Sequence, residues 1–179
     1  MSRSRTDGRS NRRRHGESGF TLIELMVTVI VLSIIMAIAF PSFRALVNSN
    51  RLTARANELL ATIQYARSEA IRLNGKVTLC PTEDGSACSG ADWSRLVVRL
   101  DRDDTVLREV ANAGNALVSA DVDDIAFSAD GLARDSGGLL ATANLNVCID
   151  TTHPAQNQRV VALVSGSRVS VSQASGACP

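Results

Sequence analysis

An uncharged apolar run, LMVTVIVLSIIMAIAFPSF, occupies residues 25–43. As a helix rising about 1.5 Å per residue it is about 28 Å long, close to the roughly 30 Å of a bilayer's hydrocarbon core. We therefore predict a membrane-spanning helix over residues 20–43. Pro41 lies inside it and has no backbone N–H to donate, so we expect a kink or local melting there.

Beyond Arg44 the apolar residues recur at alternating steps of four and three, which is the spacing of one helix stripe. This stripe consists of Leu52, Ala56, Leu59, Ile63, Ala66, Ala70 and Leu73, and polar residues including Arg55 occupy the other faces. The pair Asn74-Gly75 is typical of a helix C-terminus. The pattern predicts one helix over residues 20–74 whose second half packs on another element. A coiled coil is the alternative.

Short segments of β-type residues, separated by Gly, Asp, Asn and Ser turns, fill the rest of the chain. The predicted strands are 76–80, 95–101, 105–110, 124–127, 145–149, 159–164 and 168–172. Residues 111–116 and 134–143 are predicted loops. The predicted fold is α+β: a long N-terminal helix packed on a small antiparallel β-sheet head, residues 75–179.

Charge is distributed unevenly along the chain. Six of the 19 Lys and Arg residues and two of the 18 acids lie in residues 1–19, so residues 20–179 carry 13 basic and 16 acidic side chains, a net charge of −3. Arginines before an apolar span favour a cytoplasmic N-terminus. We predict a single-pass protein whose head, beyond Arg44, is exported to the periplasm or outside the cell.

The junction between the basic leader and the apolar run reads Gly19-Phe20-Thr21-Leu22-Ile23-Glu24. No small-residue cleavage site of the ordinary secretory kind follows before Pro41. An isolated carboxylate in an apolar helix is costly near a membrane, so Glu24 is predicted to need a cationic partner. The alternative is a carboxylate that reaches the lipid headgroup layer.

Residues 19–43, GFTLIELMVTVIVLSIIMAIAFPSF, resemble the class III signal of type IV pilins and pseudopilins. The resemblance implies that a prepilin peptidase removes residues 1–19 by cutting after Gly19, and that the new amino group of Phe20 is methylated. It also implies that Glu24 pairs with the N-terminal amine of a neighbouring subunit during filament assembly. Pro41 would lie in a locally melted stretch of the stem.

Four cysteines in an exported domain indicate two disulfides, and four thiols allow three pairings. Cys80 and Cys88 flank the tight-turn pair Asp84-Gly85, so we pair them, which leaves Cys148 with Cys178. A zinc site would need more ligands at shorter spacing. We expect neither a metal nor a cofactor.

A second resemblance covers residues 78–101, where TLCP, the Asp84-Gly85 turn, Cys88, DWS and the final Leu-Asp occur in order. This pattern resembles the start of the globular domain in GspH/FimT-type minor pilins. It implies a minor pilin that acts in type IV pilus assembly or initiation. Its partners would be other pilins and the inner-membrane assembly machinery. The first alternative is the H-type pseudopilin of a type II secretion system.

No catalytic motif points to an enzyme: a nucleophile elbow, a phosphate loop and a metalloprotease helix are all missing from the sequence. The acids Asp101, Asp103 and Asp104 have odd spacing but lack the Gly and terminal Glu of a calcium loop, so they predict a solvated hairpin. A plain single-pass periplasmic protein with no filament role is a further alternative.

DNA uptake is the alternative of another class. Some FimT-type pilins carry a Gly-Arg-x-Arg turn, and residues 165–170 here read SGSRVS, which keeps Arg168 and has Ser at the other position. Arg159 and Arg168 are the candidate DNA contacts if neighbouring strands bring them together, with Lys76 or Arg134 extending the patch. Such a patch would bind DNA weakly and with steep salt dependence. Alternatively, both are ordinary edge-strand charges.

Overall fold

The computed structural model describes residues 19–111 and 114–178, which form one helix and eight strands. Apart from Gly19, the predicted leader lies outside this part of the chain. The helix is α1 (Leu22–Leu73). The strands are β1 (Val77–Pro81), β2 (Arg95–Leu100), β3 (Thr105–Ala111), β4 (Leu117–Ala120), β5 (Ile125–Phe127), β6 (Ala143–Cys148), β7 (Gln158–Val164) and β8 (Arg168–Ala174).

The chain divides into two compact units, residues 1–39 and 40–179. In the described part of the first unit every side chain is exposed, and α1 starts with Thr21 Oγ1 accepting a hydrogen bond from the Glu24 N–H at 3.3 Å. This is N-capping, and the acidic side chain in the first turn also suits the helix dipole. By length and composition, α1 is apolar enough to cross a membrane.

The second unit contains two four-stranded antiparallel sheets. One has the strand order β3-β2-β1-β5 and the other β4-β6-β7-β8. In the first sheet β1 is central and pairs with both β2 and β5. In the second sheet β7 pairs with β6 on one side and with β8 on the other, so β8 is an edge strand.

The core of this unit lies between the helix stripe and the inner faces of the strands. Six residues of the predicted stripe, Leu52, Ala56, Leu59, Ile63, Ala66 and Ala70, are at most 1% exposed, and Leu73 packs at the edge of the same cluster. Trp93, the one tryptophan, is also buried. The predicted α+β fold, a long helix packed on antiparallel strands, is confirmed.

Several local predictions were wrong. The sequence pattern gave no strand at β4, and within the predicted loop 134–143 Arg134 and Leu140 form an isolated β-bridge. The strands form two sheets instead of one. Arg55, predicted on a polar face, is buried, because its guanidinium binds the Ser94 carbonyl at 2.7 Å and the Glu58 carboxylate at 2.6 Å.

The helix continues through Pro41, so the local melting expected there is not seen as a break in α1. A proline removes one backbone hydrogen bond. The residues on both sides remain helical, and the loss of a single bond has not divided the element.

Candidate functional site

The first turn of α1 holds an unpaired acid on an apolar surface. Phe20, Leu22 and Ile23 are 76%, 77% and 65% exposed. Within the residues that the structure describes, Glu24 makes no ion pair. The sequence-predicted residues Gly19, Phe20 and Glu24 therefore lie together on one exposed helix start, with the carboxylate available to a group from another molecule.

The two hydroxyl side chains of residues 25–39, Thr28 and Ser33, are satisfied by the helix itself. The Thr28 hydroxyl donates to the Leu25 carbonyl at 2.8 Å, and the Ser33 hydroxyl donates to the Ile30 carbonyl at 2.7 Å. A hydroxyl that bonds within its own helix can lie in hydrocarbon without an unsatisfied donor. Glu24 is thus the one side chain of residues 22–39 that needs an external polar partner.

Two disulfides cross-link segments of the head, residues 75–179. Cys80 is bonded to Cys88, and Cys148 is bonded to Cys178. These are the pairs expected from the sequence. The first closes the loop after β1, and the second fastens the segment after β8 to the end of β6.

The loop of the first disulfide is organised around Asp84. Its carboxylate accepts hydrogen bonds from the Ser86 hydroxyl at 2.6 Å, the Ser86 N–H at 2.8 Å and the Ala87 N–H at 3.2 Å. These bonds, with that of the Ser86 hydroxyl foremost, hold the pKa of Asp84 well below its ordinary value. The charged carboxylate is therefore part of the loop's structure.

Polar side chains at the start of β7, which the sequence pattern did not single out, hold the C-terminal segment. The buried Asn157 amide donates to the Gly176 carbonyl at 2.9 Å and accepts from the Gly176 N–H at 3.1 Å. The Gln158 amide donates to the Ala177 carbonyl at 2.9 Å. No sequence motif marks these residues, since the bonds depend on how residues 175–178 fold back.

The structure does not bring Arg159 and Arg168 together. They lie on paired strands, as the DNA hypothesis required, but Arg159 faces Gln173 and Arg168 faces Val164, at opposite ends of the β7–β8 hairpin. Arg168 is exposed, whereas Arg159 is 4% exposed. The two-charge patch that the DNA-binding alternative required is therefore not formed.

Burial explains why Arg159 is not a surface cation. Its guanidinium donates to the Ser49 hydroxyl at 3.0 Å and to the carbonyls of Gln156 and Gln158 at 3.1 and 2.9 Å. Desolvation lowers the pKa of Arg159. Because its N–H donors already bond to internal acceptors, the Arg159 guanidinium has few donors left for a phosphate.

The two basic residues that were to extend the patch already have acidic partners. Lys76 Nζ lies 3.0 Å from the Asp101 carboxylate, and the Arg134 guanidinium lies 2.9 Å from that of Asp130. Asp101 and Asp104 border the predicted β2–β3 hairpin turn, where Asp104 pairs with Arg99. In residues 19–111 and 114–178 no cluster of His, Cys, Asp or Glu could hold a metal ion.

Two family models match the chain. The model described as "Type II transport protein GspH" matches residues 55–174, and the "Prokaryotic N-terminal methylation motif" matches residues 14–40. No curated protein sequence matches. The first match covers more than half of the chain and includes most of the buried part of α1 and all eight strands.

Solved structures share the fold. Two crystal forms of the type IV minor pilin FimU of Pseudomonas aeruginosa (strain PAO1) match with 21% identity and TM-scores of 0.52 and 0.51, over 69% and 68% of this chain and 90% and 92% of theirs. The minor pseudopilin EpsH of the type 2 secretion system of Vibrio cholerae matches with 10% identity and a TM-score of 0.50, over 69% of this chain and 97% of its own. The chain belongs to the GspH family and is a pilin-like structural subunit, a minor pilin or pseudopilin that carries an N-terminal methylation motif.

Proposed function

We propose that the chain is a minor pilin that enters a type IV pilus as a structural subunit and acts in pilus assembly or initiation. The observation that carries this proposal is the exposed apolar helix surface of residues 22–39, whose one acidic side chain, Glu24, has no partner among the described residues. Such a surface can contact lipid before assembly and the helices of neighbouring subunits after assembly.

In this proposal the leader, residues 1–19, is removed by a prepilin peptidase that cuts after Gly19. The new N-terminal amine of Phe20 is then methylated, and the methylation motif over residues 14–40 supports this step. The leader's arginines keep the N-terminus cytoplasmic, so residues 20–43 span the inner membrane and residues 75–179 form a periplasmic head.

Assembly then depends on one charge pair. A carboxylate and an ammonium in an apolar bundle each lose several kcal/mol of hydration, and each is the other's most effective compensation. Glu24 and the amine of Phe20 are four residues apart at the start of the helix. A pair between Glu24 of one subunit and the amine of its neighbour would therefore set the axial register between adjacent helices.

The alternative assignment is the H-type pseudopilin of a type II secretion system, which would use the same stem. FimU and EpsH match with similar TM-scores and with identities below 25%, so both support the fold that the two assignments share. No DNA-binding function is proposed, because Arg159 is buried and lies far along the hairpin from Arg168.

Deleting the gene and analysing sheared surface filaments from the wild type tests the assignment. We expect the deletion strain to lose surface pili and to keep type II secretion. Mass spectrometry of the wild-type shear fraction should find this chain with an N-terminal peptide that begins at methylated Phe20. Normal piliation with lost secretion would assign the chain to the secretion system, and a filament chain that still begins at Met1 would refute the processing step.

A further inference from the structure

An open cavity of about 370 Å³ lies where α1 enters the second unit, between the helix and the loop that follows β6. The helix contributes Phe40, Arg44 and Asn48, and the loop contributes Thr151, Thr152 and His153. Neither of the functions considered above uses this cavity.

The loop is held against the helix in a defined position. The Asn48 amide donates to the His153 carbonyl at 3.0 Å. The Thr151 hydroxyl donates to the same carbonyl at 3.1 Å, and the His153 N–H donates back to the Thr151 oxygen at 3.1 Å. These hydrogen bonds fix the backbone of the cavity wall, and the exposed side chains of Thr152 and His153 extend from it.

Arg44 supplies a positive charge without a counter-ion. Its guanidinium carbon lies 5.0 Å from the centre of the Phe40 ring, and it takes part in none of the ion pairs found among residues 19–111 and 114–178. In the same part of the chain the Thr152 hydroxyl and the His153 imidazole have no hydrogen-bond partner. One cation and two hydrogen-bonding side chains thus face a small open space, a combination that suits a phosphate oxygen.

A second cavity of about 360 Å³ adjoins the first along α1. It shares Phe40, Arg44 and Asn48 with the first, and its own walls add Phe43, Val47 and a second arginine, Arg51. These additional residues lie mostly C-terminal to Arg44 on α1, away from the 25–43 run. Of the two cavities, the first is therefore the one assigned to a ligand from the membrane.

The position of Arg44 in the chain indicates the source of that ligand. It is the first charged residue after the 25–43 run, which is about as long as the hydrocarbon core is thick. Arginine at such a boundary extends toward phosphate groups. This step rests on the membrane anchoring proposed above.

We infer that the cavity between Arg44 and the loop of residues 151–153 binds the headgroup of one anionic phospholipid of the membrane from which the subunit is extracted. Arg44 is the counter-ion of the phosphodiester, and Thr152 and His153 are hydrogen-bond partners of the headgroup, while the acyl chains stay in the bilayer. Bound lipid would hold the head against the bilayer surface until the subunit enters the filament.

Native mass spectrometry of the full chain, released from dodecyl maltoside micelles that contain phosphatidylglycerol, tests the site. We expect the wild type to retain one lipid per chain, and Arg44→Gln to reduce retention about tenfold, the loss typical of one charged hydrogen-bonded contact. Arg168→Gln removes another exposed arginine, at the turn of the β7–β8 hairpin, and should retain lipid like the wild type. A double variant, Thr152→Ala with His153→Gln, should also lose retention.

Equal retention by Arg44→Gln and Arg168→Gln would overturn the site. Displacement of the lipid by inorganic phosphate would overturn the lipid assignment, because a lipid concentrated in the protein's own micelle should outcompete free phosphate. A lipid-independent dimer that Arg44→Gln abolishes would assign the cavity to a neighbouring subunit instead. All variants should cosediment with phosphatidylcholine vesicles; a wild type that does not would refute the anchor, and the lipid site with it.

Discussion

At the scale of single residues, the head is held by polar groups that are buried and hydrogen-bonded. Arg159 connects β7 to α1 through the Ser49 hydroxyl, and its other donors satisfy two backbone carbonyls. A buried cation is tolerated only when its donors are used. Arg159 is therefore a structural residue, and Arg168, which lies on the edge strand of the same hairpin, is its natural control.

Arg159→Ala should lower the free energy of unfolding by about 2 kcal/mol, because it removes charge-assisted bonds and leaves buried acceptors unpaired. Arg168→Ala should change it by less than about 0.5 kcal/mol, as is usual for an exposed side chain. Denaturant titration of the full chain in detergent, followed by the fluorescence of buried Trp93, measures both. Equal losses in the two variants would refute the structural role of Arg159.

Asp84 gives the head a predictable response to acid. Its folded-state pKa is lowered by the hydrogen bonds from Ser86 and Ala87, so its contribution to stability is present above the ordinary aspartate pKa of about 3.9 and is lost as the pH falls through the lowered value. Asp84→Asn should therefore lower Tm at pH 7, and the difference from the wild type should shrink in strong acid.

Asp123→Asn is the matched control for Asp84→Asn, because Asp123 is exposed and has no hydrogen bond in the described part of the chain. Thermal unfolding of the three proteins in detergent at pH 7 and in strong acid completes the comparison. A constant difference in Tm between Asp84→Asn and the wild type at both pH values would contradict the assigned role of the charge.

At the scale of elements, the two disulfides restrain the sheets to different extents. The sequence separations are 8 residues for Cys80–Cys88 and 30 for Cys148–Cys178. Loop-closure entropy gives about 2.6 kcal/mol for the shorter loop and about 3.7 kcal/mol for the longer one. The Cys148→Ser, Cys178→Ser variant should thus be less stable than the Cys80→Ser, Cys88→Ser variant.

Chemical denaturation of both double variants, with the oxidised wild type as reference, measures this order. The longer loop also includes β7 and β8, so its loss should let the C-terminal segment exchange amide hydrogens faster, although Asn157 and Gln158 still bind it. The reverse order of stability would mean that residual structure in the unfolded chain outweighs loop length.

Elements whose hydrophobic spacing extends over several turns could be predicted from the sequence, and features that depend on residues distant in sequence could not. The stripe from Leu52 to Ala70 repeats over several turns, so its buried face could be predicted from spacing alone. Strand β4 is four residues long with one buried side chain, Val118, which is too little pattern to detect. Burial of Arg55 and Arg159 depends on the Ser94 carbonyl and the Ser49 hydroxyl, which approach only in the folded head.

At the scale of the whole molecule, two units with different surfaces share one chain. Residues 20–39 expose mostly apolar side chains, whereas residues 40–111 and 114–178 enclose a core between a helix and two sheets. The first surface is suited to hydrocarbon and to other helices of its kind, and the second folds around its own interior. This separation of an apolar helix from a folded head suits a subunit that is first anchored in a membrane and later assembled into a filament.

The central claim is that Glu24 pairs with a neighbour's N-terminal amine when the subunit enters a filament. The most direct measurement is the ratio of this chain in sheared filaments to that in membranes, determined by quantitative mass spectrometry. We compare the wild type with Glu24→Gln, which keeps the shape and removes the charge, and with Thr28→Ala, which changes the next turn without a charge. We predict that Glu24→Gln lowers the ratio at least about tenfold with membrane levels unchanged, since the unpaired amine would cost more than about 1.4 kcal/mol. Thr28→Ala should leave the ratio unchanged. A wild-type ratio for Glu24→Gln would contradict the account.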